Sequence, residues 1–572
     1  MTQSPDTGLG FQPAEAEPLH PTAPGFRQRA LQALIGGRFG DAADLFRDAI
    51  ASGDASSANY RDLGVALLKL EQFPAAADAL LKALDLEPGD GQAMLALGFV
   101  RLGQNDLQEA SRLLERSRDL LPGSWQAHYF LATVQSRLGR LLEALGNLRR
   151  AVALAPGRTQ LHEILIFHME LCEGVTLEEQ QLARRAWYQC VAATLPAGGP
   201  RSFANARDAS RRLRVGYVSS DFCVHSAAMI FGPIIRYHDP AAFETFCYSG
   251  RESEDAMAKS LRASASHWRP VAGVSDDALE AQIREDGIDI LVDLSAYTLG
   301  HRLRVFAKRA APVQVTAWGF ATGTGIPTMD YFFSDPVAVP KSVRHHFAET
   351  IVDLASCFCY EPPGDAPEVS PLPSLSGQPF TFGCLNRYHK ISDRTVMLWA
   401  RILKAMPQSR LLLKSAAFKA TVQEQFARRF AEHGVPRERL IFLGSTDLYD
   451  HLRALHAVDL ALDPFPANGG ITTAETLWMG VPVVTLLGTT THGRLSASLL
   501  HALGMPDWIA NDEDEYVRIA LEFAEDREHL QRLRSGMRQH LMATPVFNVR
   551  EYTRHVEAAY RDCWRKWCLE AG

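Results

Sequence analysis

The chain has 572 residues, more than one hydrophobic core usually holds, so roughly two to four domains are expected. Its 47% hydrophobic and 22% charged residues are those of an ordinary globular protein, and no apolar run approaches the roughly 20 residues of a membrane helix. A formal net charge of −7 gives no electrostatic footprint for nucleic acid, so neither a nucleic acid nor a membrane is expected as a partner.

Residues 1–22 combine prolines and acids without a basic segment leading into an apolar one. They are expected to form a disordered lead, not a secretory signal. The nine cysteines are an odd number without metal-ligand spacing, and Cys357 and Cys359 alternate as core residues of a strand do. No disulfide framework is expected, which points to a reducing compartment and so to the cytoplasm.

A shift of 34 residues brings Ala42, Ala76, Ala110 and Ala144 into register, and likewise Ala49, Ala83, Ser117 and Ala151. Ala30, Gly64, Gly98 and Ala132 align in the same way, and Pro88, Pro122 and Pro156 close three of the four units. Small residues at these offsets let paired helices approach closely, and each proline stops the second helix of its unit. Residues 23–158 thus resemble tetratricopeptide repeats, an α-solenoid whose concave face is expected to bind extended peptide or partner protein, the alternative being a structural spacer or dimer platform. Segment 159–210 reads as a helical connector, with Trp187 and Tyr188 set to pack on the next domain.

From Arg211 short apolar strands alternate with longer amphipathic segments, the pattern of βαβ units and a parallel sheet. Strands are expected at 213–218, 245–249, 288–294 and 313–318. After the Pro-rich interruption 361–379 they resume at 380–385, 410–414, 440–443, 460–463 and 481–486. This predicts two Rossmann-like α/β lobes, 211–378 and 379–572, with a final helix at 552–567 bracing the first.

The stretch Leu460-Ala-Leu-Asp-Pro-Phe-Pro-Ala-Asn468-Gly469-Gly470-Ile-Thr472-Thr473-Ala-Glu475-Thr-Leu-Trp-Met-Gly480 reads as strand, glycine loop and helix. Gly469 and Gly470 allow close backbone approach to an anion, and the new helix offers free N–H groups with a partial positive charge. Thr472 and Thr473 add hydroxyls in the first turn, and Glu475 is placed to accept from a ribose diol. Alone, such a turn serves equally as a plain helix cap.

In context the segment resembles the donor-binding motif of two-lobed (GT-B) glycosyltransferases, and its full form is similar to that of the O-linked N-acetylglucosamine transferase family. The resemblance runs over residues 23–565 and carries further motifs. Arg214-Val-Gly-Tyr-Val-Ser-Ser-Asp-Phe222 with His225 resembles the first catalytic-lobe strand and its cleft-facing histidine. Asp286-Gly-Ile-Asp-Ile-Leu-Val-Asp293 resembles the next strand. Trp318-Gly-Phe-Ala-Thr322-Gly323-Thr324-Gly325 resembles the loop that closes over the sugar. Asn386-Arg387-Tyr-His-Lys390 and Ser445-Thr446 with His451 are similar to the diphosphate and base-and-ribose segments. The family commonly has a neutral polar residue at Arg387 and a tyrosine at His389, and its animal members have a lysine at Leu448.

The resemblance implies an inverting transfer of N-acetylglucosamine from its uridine diphosphate donor to serine or threonine hydroxyls of a protein held by the repeat array. Lys390 is the diphosphate-contacting lysine it implies, and a compact ammonium with three donors suits that task. His225 and Asp286 are its candidate general bases, with proton relay to the phosphate as a third route. Many glycosyltransferases hold a metal with an Asp-x-Asp pair. No such pair is read in either lobe, so no metal and no other cofactor is expected. Transfer of fucose from guanosine diphosphate on the same scaffold, and a catalytically silent nucleotide-binding scaffold, are the alternatives.

Overall fold

A computed structural model describes residues 25–196, 202–320 and 322–569; the lead at 1–22 lies outside them. The chain divides into two compact units, 1–168 and 169–572.

In the first unit, eight helices from Phe26–Ile35 to Leu141–Leu154 follow one another as hairpins, and Thr159–Met169 is a ninth. Ala42, Ala76, Ala110 and Ala144 are all fully buried. A Cβ on Gly64 would lie 2.5 Å from Leu80 Cγ, and one on Gly98 would lie 2.7 Å from Leu114 Cγ. The 34-residue register is therefore a register of close helix approach. Helix Phe73–Leu86 ends one residue before Pro88, whose ring cannot continue it.

The unit boundary falls inside the segment read as a connector. Thr159–Met169 stays with the repeats through a Ser136–His168 hydrogen bond, while Leu177–Ala192 packs on the first α/β lobe. There Trp187 is fully buried, edge-on to Tyr297 at 5.3 Å, and Arg185 donates to the carbonyl of His346 at 2.7 Å.

The second unit holds two wholly parallel sheets. Its strands are β1 Leu213–Ser219, β2 Phe243–Ser249, β3 His267–Pro270, β4 Ile290–Asp293, β5 Val313–Thr316, β6 Tyr331–Ser334 and β7 Thr350–Asp353, in the order β3-β2-β1-β4-β5-β6-β7. β8 Thr381–Cys384, β9 Arg410–Lys414, β10 Leu440–Leu443, β11 Leu460–Leu462, β12 Val483–Leu486 and β13 Ile509–Ala510 make the second, in the order β10-β9-β8-β11-β12-β13. Central strands such as β4, β5 and β8 are buried along their whole length, as expected where helices cover both faces. The order in which the chain adds strands reverses between β1 and β4 in one sheet and between β8 and β11 in the other. Open α/β folds bind ligands outside the carboxyl ends of strands at such switch points.

The last helix, Val549–Leu569, lies on the first lobe. Trp318 Nε1 donates to Tyr552 Oη at 3.1 Å, the hydroxyls of Tyr560 and Tyr217 meet at 3.3 Å, and Arg561 donates to the carbonyl of Arg211 at 2.7 Å. Tyr552, Val556, Tyr560 and Cys563 form the apolar stripe that seats it. No described helix is long and apolar enough to cross a membrane, and the nine cysteines are free thiols.

Candidate functional site

The second switch point carries a cleft lined by Gly383–Asn386 at the end of β8, Ala461–Asp463 at the end of β11, and Thr472, Thr473 and Thr476. Its floor is set by Asp463, fully buried, whose Oδ1 accepts from the Gly469 N–H at 2.9 Å and whose Oδ2 accepts from Thr485 at 2.8 Å. Those bonds pull the loop inward until only glycine fits. A Cβ at position 469 would sit 2.1 Å from Thr473 Oγ1 and 3.0 Å from Asp463 Oδ1. The chain then enters helix Ile471–Trp478 with Gly470 as its first boundary and no side-chain cap, so the positive end of the helix is left to the cleft.

Lys390, brought round by the short turn Tyr388–Lys390 after β8, donates from Nζ to the Asn468 carbonyl. Burial, with the charge of Arg387 adding to it and Asp463 opposing, lowers its pKa to about 8. It is thus a half-buried cation beside an uncapped helix start, an arrangement that favours an oxyanion. Within that helix Glu475 is buried, and its Oε2 stands 3.4 Å from His451 Nε2. Asn386 is buried next to Asp463, at 3.5 Å, whereas Ser445 and Thr446 are exposed in the loop after β10.

At the first switch point β1 ends in Ser219, and the loop carries Asp221 and His225, the latter at the start of helix Ser226–Tyr237. Nδ1 of His225 accepts from the Ala227 N–H at 3.3 Å and lies 3.8 Å from Asp221 Oδ1. Burial, joined by the charges of Arg387 and Arg251, lowers the His225 pKa, while Asp221 opposes them. The imidazole is therefore neutral near pH 7, the state a proton acceptor needs. That Arg387 of the second lobe acts on both Asp221 and His225 of the first puts the two switch points within electrostatic reach of each other.

The loop after β5 is fixed by Glu349, whose Oε1 accepts from Thr324 N at 2.5 Å and Thr324 Oγ1 at 2.6 Å. Gly323 takes a left-handed conformation at φ +73°. Gln181 of the connector helix donates to the carbonyl of Thr322 at 3.0 Å, and the Phe320 ring lies 5.0 Å from that of His492 in the second lobe.

The sequence profile described as glycosyl transferase family 41 matches residues 190–362 and 374–556, well over half of the chain. This chain belongs to glycosyl transferase family 41. A tetratricopeptide repeat profile matches 28–91, 61–110 and 95–159. The family 41 chain is 36% identical over 374 residues to a Petunia hybrida protein named "Probable UDP-N-acetylglucosamine--peptide N-acetylglucosaminyltransferase SPINDLY"; the match covers 64% of this chain and 40% of that one. It is 31% identical over 386 residues to the Arabidopsis thaliana protein of the same name ending in SEC, covering 66% and 39%. The chain thus spans about 40% of the length of these plant relatives. Among solved structures, a lysine-to-methionine mutant of the Thermobaculum terrenum O-GlcNAc transferase superposes with a TM-score of 0.76 at 32% identity, covering 91% of this chain and 99% of that one.

In this family 41 chain the structure brings together His225, Asn386, Arg387, Lys390, His451, Asn468, Gly469, Gly470, Thr472 and Glu475 at the carboxyl ends of the two sheets. It does not bring Asp286 there. Asp286 ends helix Asp276–Glu285 before β4 begins, at the opposite edge of the sheet, and its carboxylate is held by Tyr248 Oη at 2.8 Å and Arg269 at 2.8 Å. Thr324 is spent on Glu349, and Thr473 turns inward to Ser496 at 2.9 Å. An Asp-x-Asp does occur at Asp512 and Asp514, but it is surface capping: Asp512 accepts from the Glu515 N–H at 2.8 Å and Asp514 pairs with Arg401 at 2.6 Å. Residues that motif reading passed over are Asp221 and Arg251 beside His225, Asp463 beneath the glycine loop, and His492. For Asp221 the four-residue spacing to His225 was the available signal.

Proposed function

We propose that this chain is an inverting glycosyltransferase moving N-acetylglucosamine from UDP-GlcNAc to serine or threonine hydroxyls of proteins. The observation that carries the proposal is the convergence of half-buried Lys390 with the uncapped helix start at Gly470. The names of the plant relatives and of the bacterial structure support the same donor. The diphosphate lies across the Gly469–Gly470 turn with Lys390 on its leaving oxygens, and Glu475 with His451 takes the ribose. His225, with the Asp221 carboxylate nearby, receives the acceptor proton as the hydroxyl attacks the anomeric carbon. The sugar leaves the phosphate oxygen and joins the acceptor oxygen in one step, and the negative charge that builds on the diphosphate meets groups already in place.

Two expected results test this reading. Because the charge is met by Lys390 and a helix terminus, calorimetric affinity for uridine diphosphate is expected to survive excess chelator. A tenfold loss, about 1.4 kcal/mol, restored by Mg²⁺ or Mn²⁺, contradicts it. Deleting residues 1–168, a compact unit of its own, is expected to spare donor binding and to impair transfer to protein acceptors, since the repeats hold the acceptor. Equal loss of both shows that the repeats are instead structural support for the lobes.

A further inference from the structure

Next to the donor site lies a cluster of polar atoms that the proposed mechanism does not use. Arg184 on the connector helix is fully buried, and Glu170 just before that helix is 2% exposed. One guanidinium nitrogen, Nη2, pairs with Glu170 Oε1. Among the described residues, Arg184 Nε and Nη1, Glu170 Oε2 and His492 Nδ1 are buried without a hydrogen-bond partner. Buried charged groups rarely leave such capacity unused, because each unmet donor or acceptor has lost its hydration without a replacement.

Their location is fixed by a short chain of contacts. Lys390 Nζ donates to the Asn468 carbonyl, and the Asn468 N–H donates to the His492 carbonyl at 3.1 Å. His492 Nδ1 then stands 3.9 Å from Glu170 Oε2. That gap is too long for a direct hydrogen bond, but two bonds of about 2.8 Å to a single oxygen, meeting at roughly a right angle, span it. Asn468 Oδ1 and Thr322 Oγ1 are likewise buried and unpartnered in the same neighbourhood. Burial, then the charges of Lys390 and Arg184, push the His492 imidazole down to about 3, so it is neutral and offers one donor and one acceptor.

We propose that Glu170, Arg184 and His492 recognise the transferred sugar of the donor, a neutral group rich in hydroxyls. The charges decide the ligand class. Glu170 repels an anion, Arg184 and Lys390 repel a cation, and the ion pair as a whole is balanced. A hydroxyl donates and accepts at once, which matches free guanidinium N–H groups beside a free carboxylate oxygen and an imidazole. A diphosphate held by Lys390 would place the group attached to it beside this cluster, through the Lys390–Asn468–His492 contacts. The connector helix is thereby a part of the donor site, though it belongs to neither sheet.

This inference rests on the donor reading above, and its test separates the two. Affinities for uridine diphosphate and for UDP-GlcNAc are measured calorimetrically on the full chain and on two near-isosteric variants, Glu170→Gln and His492→Gln. Each variant is expected to bind uridine diphosphate within twofold of the parent and UDP-GlcNAc at least tenfold more weakly, with unchanged melting temperature. If both ligands weaken by the same factor, or neither does, sugar recognition is overturned. If both variants lose their fold or melt earlier with the affinity ratio kept, the cluster is a structural bridge and the proposal is equally overturned. A parent protein that binds no uridine diphosphate removes the donor reading itself.

Discussion

Replacing Lys390 by methionine is expected to lower turnover by two to three orders of magnitude, roughly the 2.7–4 kcal/mol of one preorganised stabilising group, while donor affinity changes far less. Charge on the diphosphate grows as the glycosidic bond breaks, so a fixed ammonium acts more on the barrier than on the bound ground state. The fold is expected to survive. Burial disfavours the protonated lysine, with a pKa lowered to about 8, so the charged form costs stability at every pH below that value and the cost is relieved as pH rises. Methionine removes that cost, keeps most of the stem and forfeits one hydrogen bond to the Asn468 carbonyl, leaving melting temperature unchanged or slightly higher. In the parent enzyme, kcat/KM is expected to fall above pH 8, by up to about tenfold per unit, as the ammonium loses its proton. The Lys390→Met enzyme is expected to lack that alkaline dependence. Near-normal turnover in the variant contradicts the assignment.

His225→Ala carries the second large effect, a fall in turnover of about 10²–10⁴ as expected for loss of a general base, with donor affinity within a few-fold. The pH dependence gives the more specific reading. The histidine accepts a proton only when neutral, and burial with Arg387 and Arg251 nearby lowers its pKa. Activity is therefore expected to fall on the acid side, below the ordinary histidine value of about 6.5, and the variant is expected to lose that limb. Asp221→Asn tests the neighbouring charge. His225 Nδ1 accepts from the Ala227 N–H, so Asp221, 3.8 Å away, acts on the imidazole through its charge, which opposes the lowering of the histidine pKa. A turnover loss smaller than that of His225→Ala, with the acid limb retained but displaced, is the expected outcome.

The features legible in the sequence were those with a local cause. Repeat spacing follows from alanines that must be small, as the burial of Ala42 to Ala144 shows, and the glycine loop follows from the space denied to a Cβ at Gly469. Buried strands announced themselves by apolar runs. β3, β6, β7 and β13 did not: β3, β7 and β13 are edge strands of two to four residues with partly exposed side chains, and β6, though mostly buried, is only the four residues Tyr331–Ser334. Asp286 misled for a related reason: motif similarity locates a strand, but only the strand's direction tells which end faces the cleft. Glu170, Arg184 and His492 had no local signal, since their meaning lies in contacts spanning more than 300 residues of chain between Glu170 and His492.

The most direct measurement of the central claim is transfer itself. The full chain is incubated with UDP-GlcNAc and a mixture of candidate proteins without added metal, and acceptors are read by intact mass and by fragmentation that retains the glycosidic bond. The account predicts the mass of one or more N-acetylhexosamine residues on serine or threonine, absent when Lys390→Met replaces the parent. Modification from a guanosine diphosphate sugar alone, or uridine diphosphate binding with no transfer to any acceptor, would contradict it.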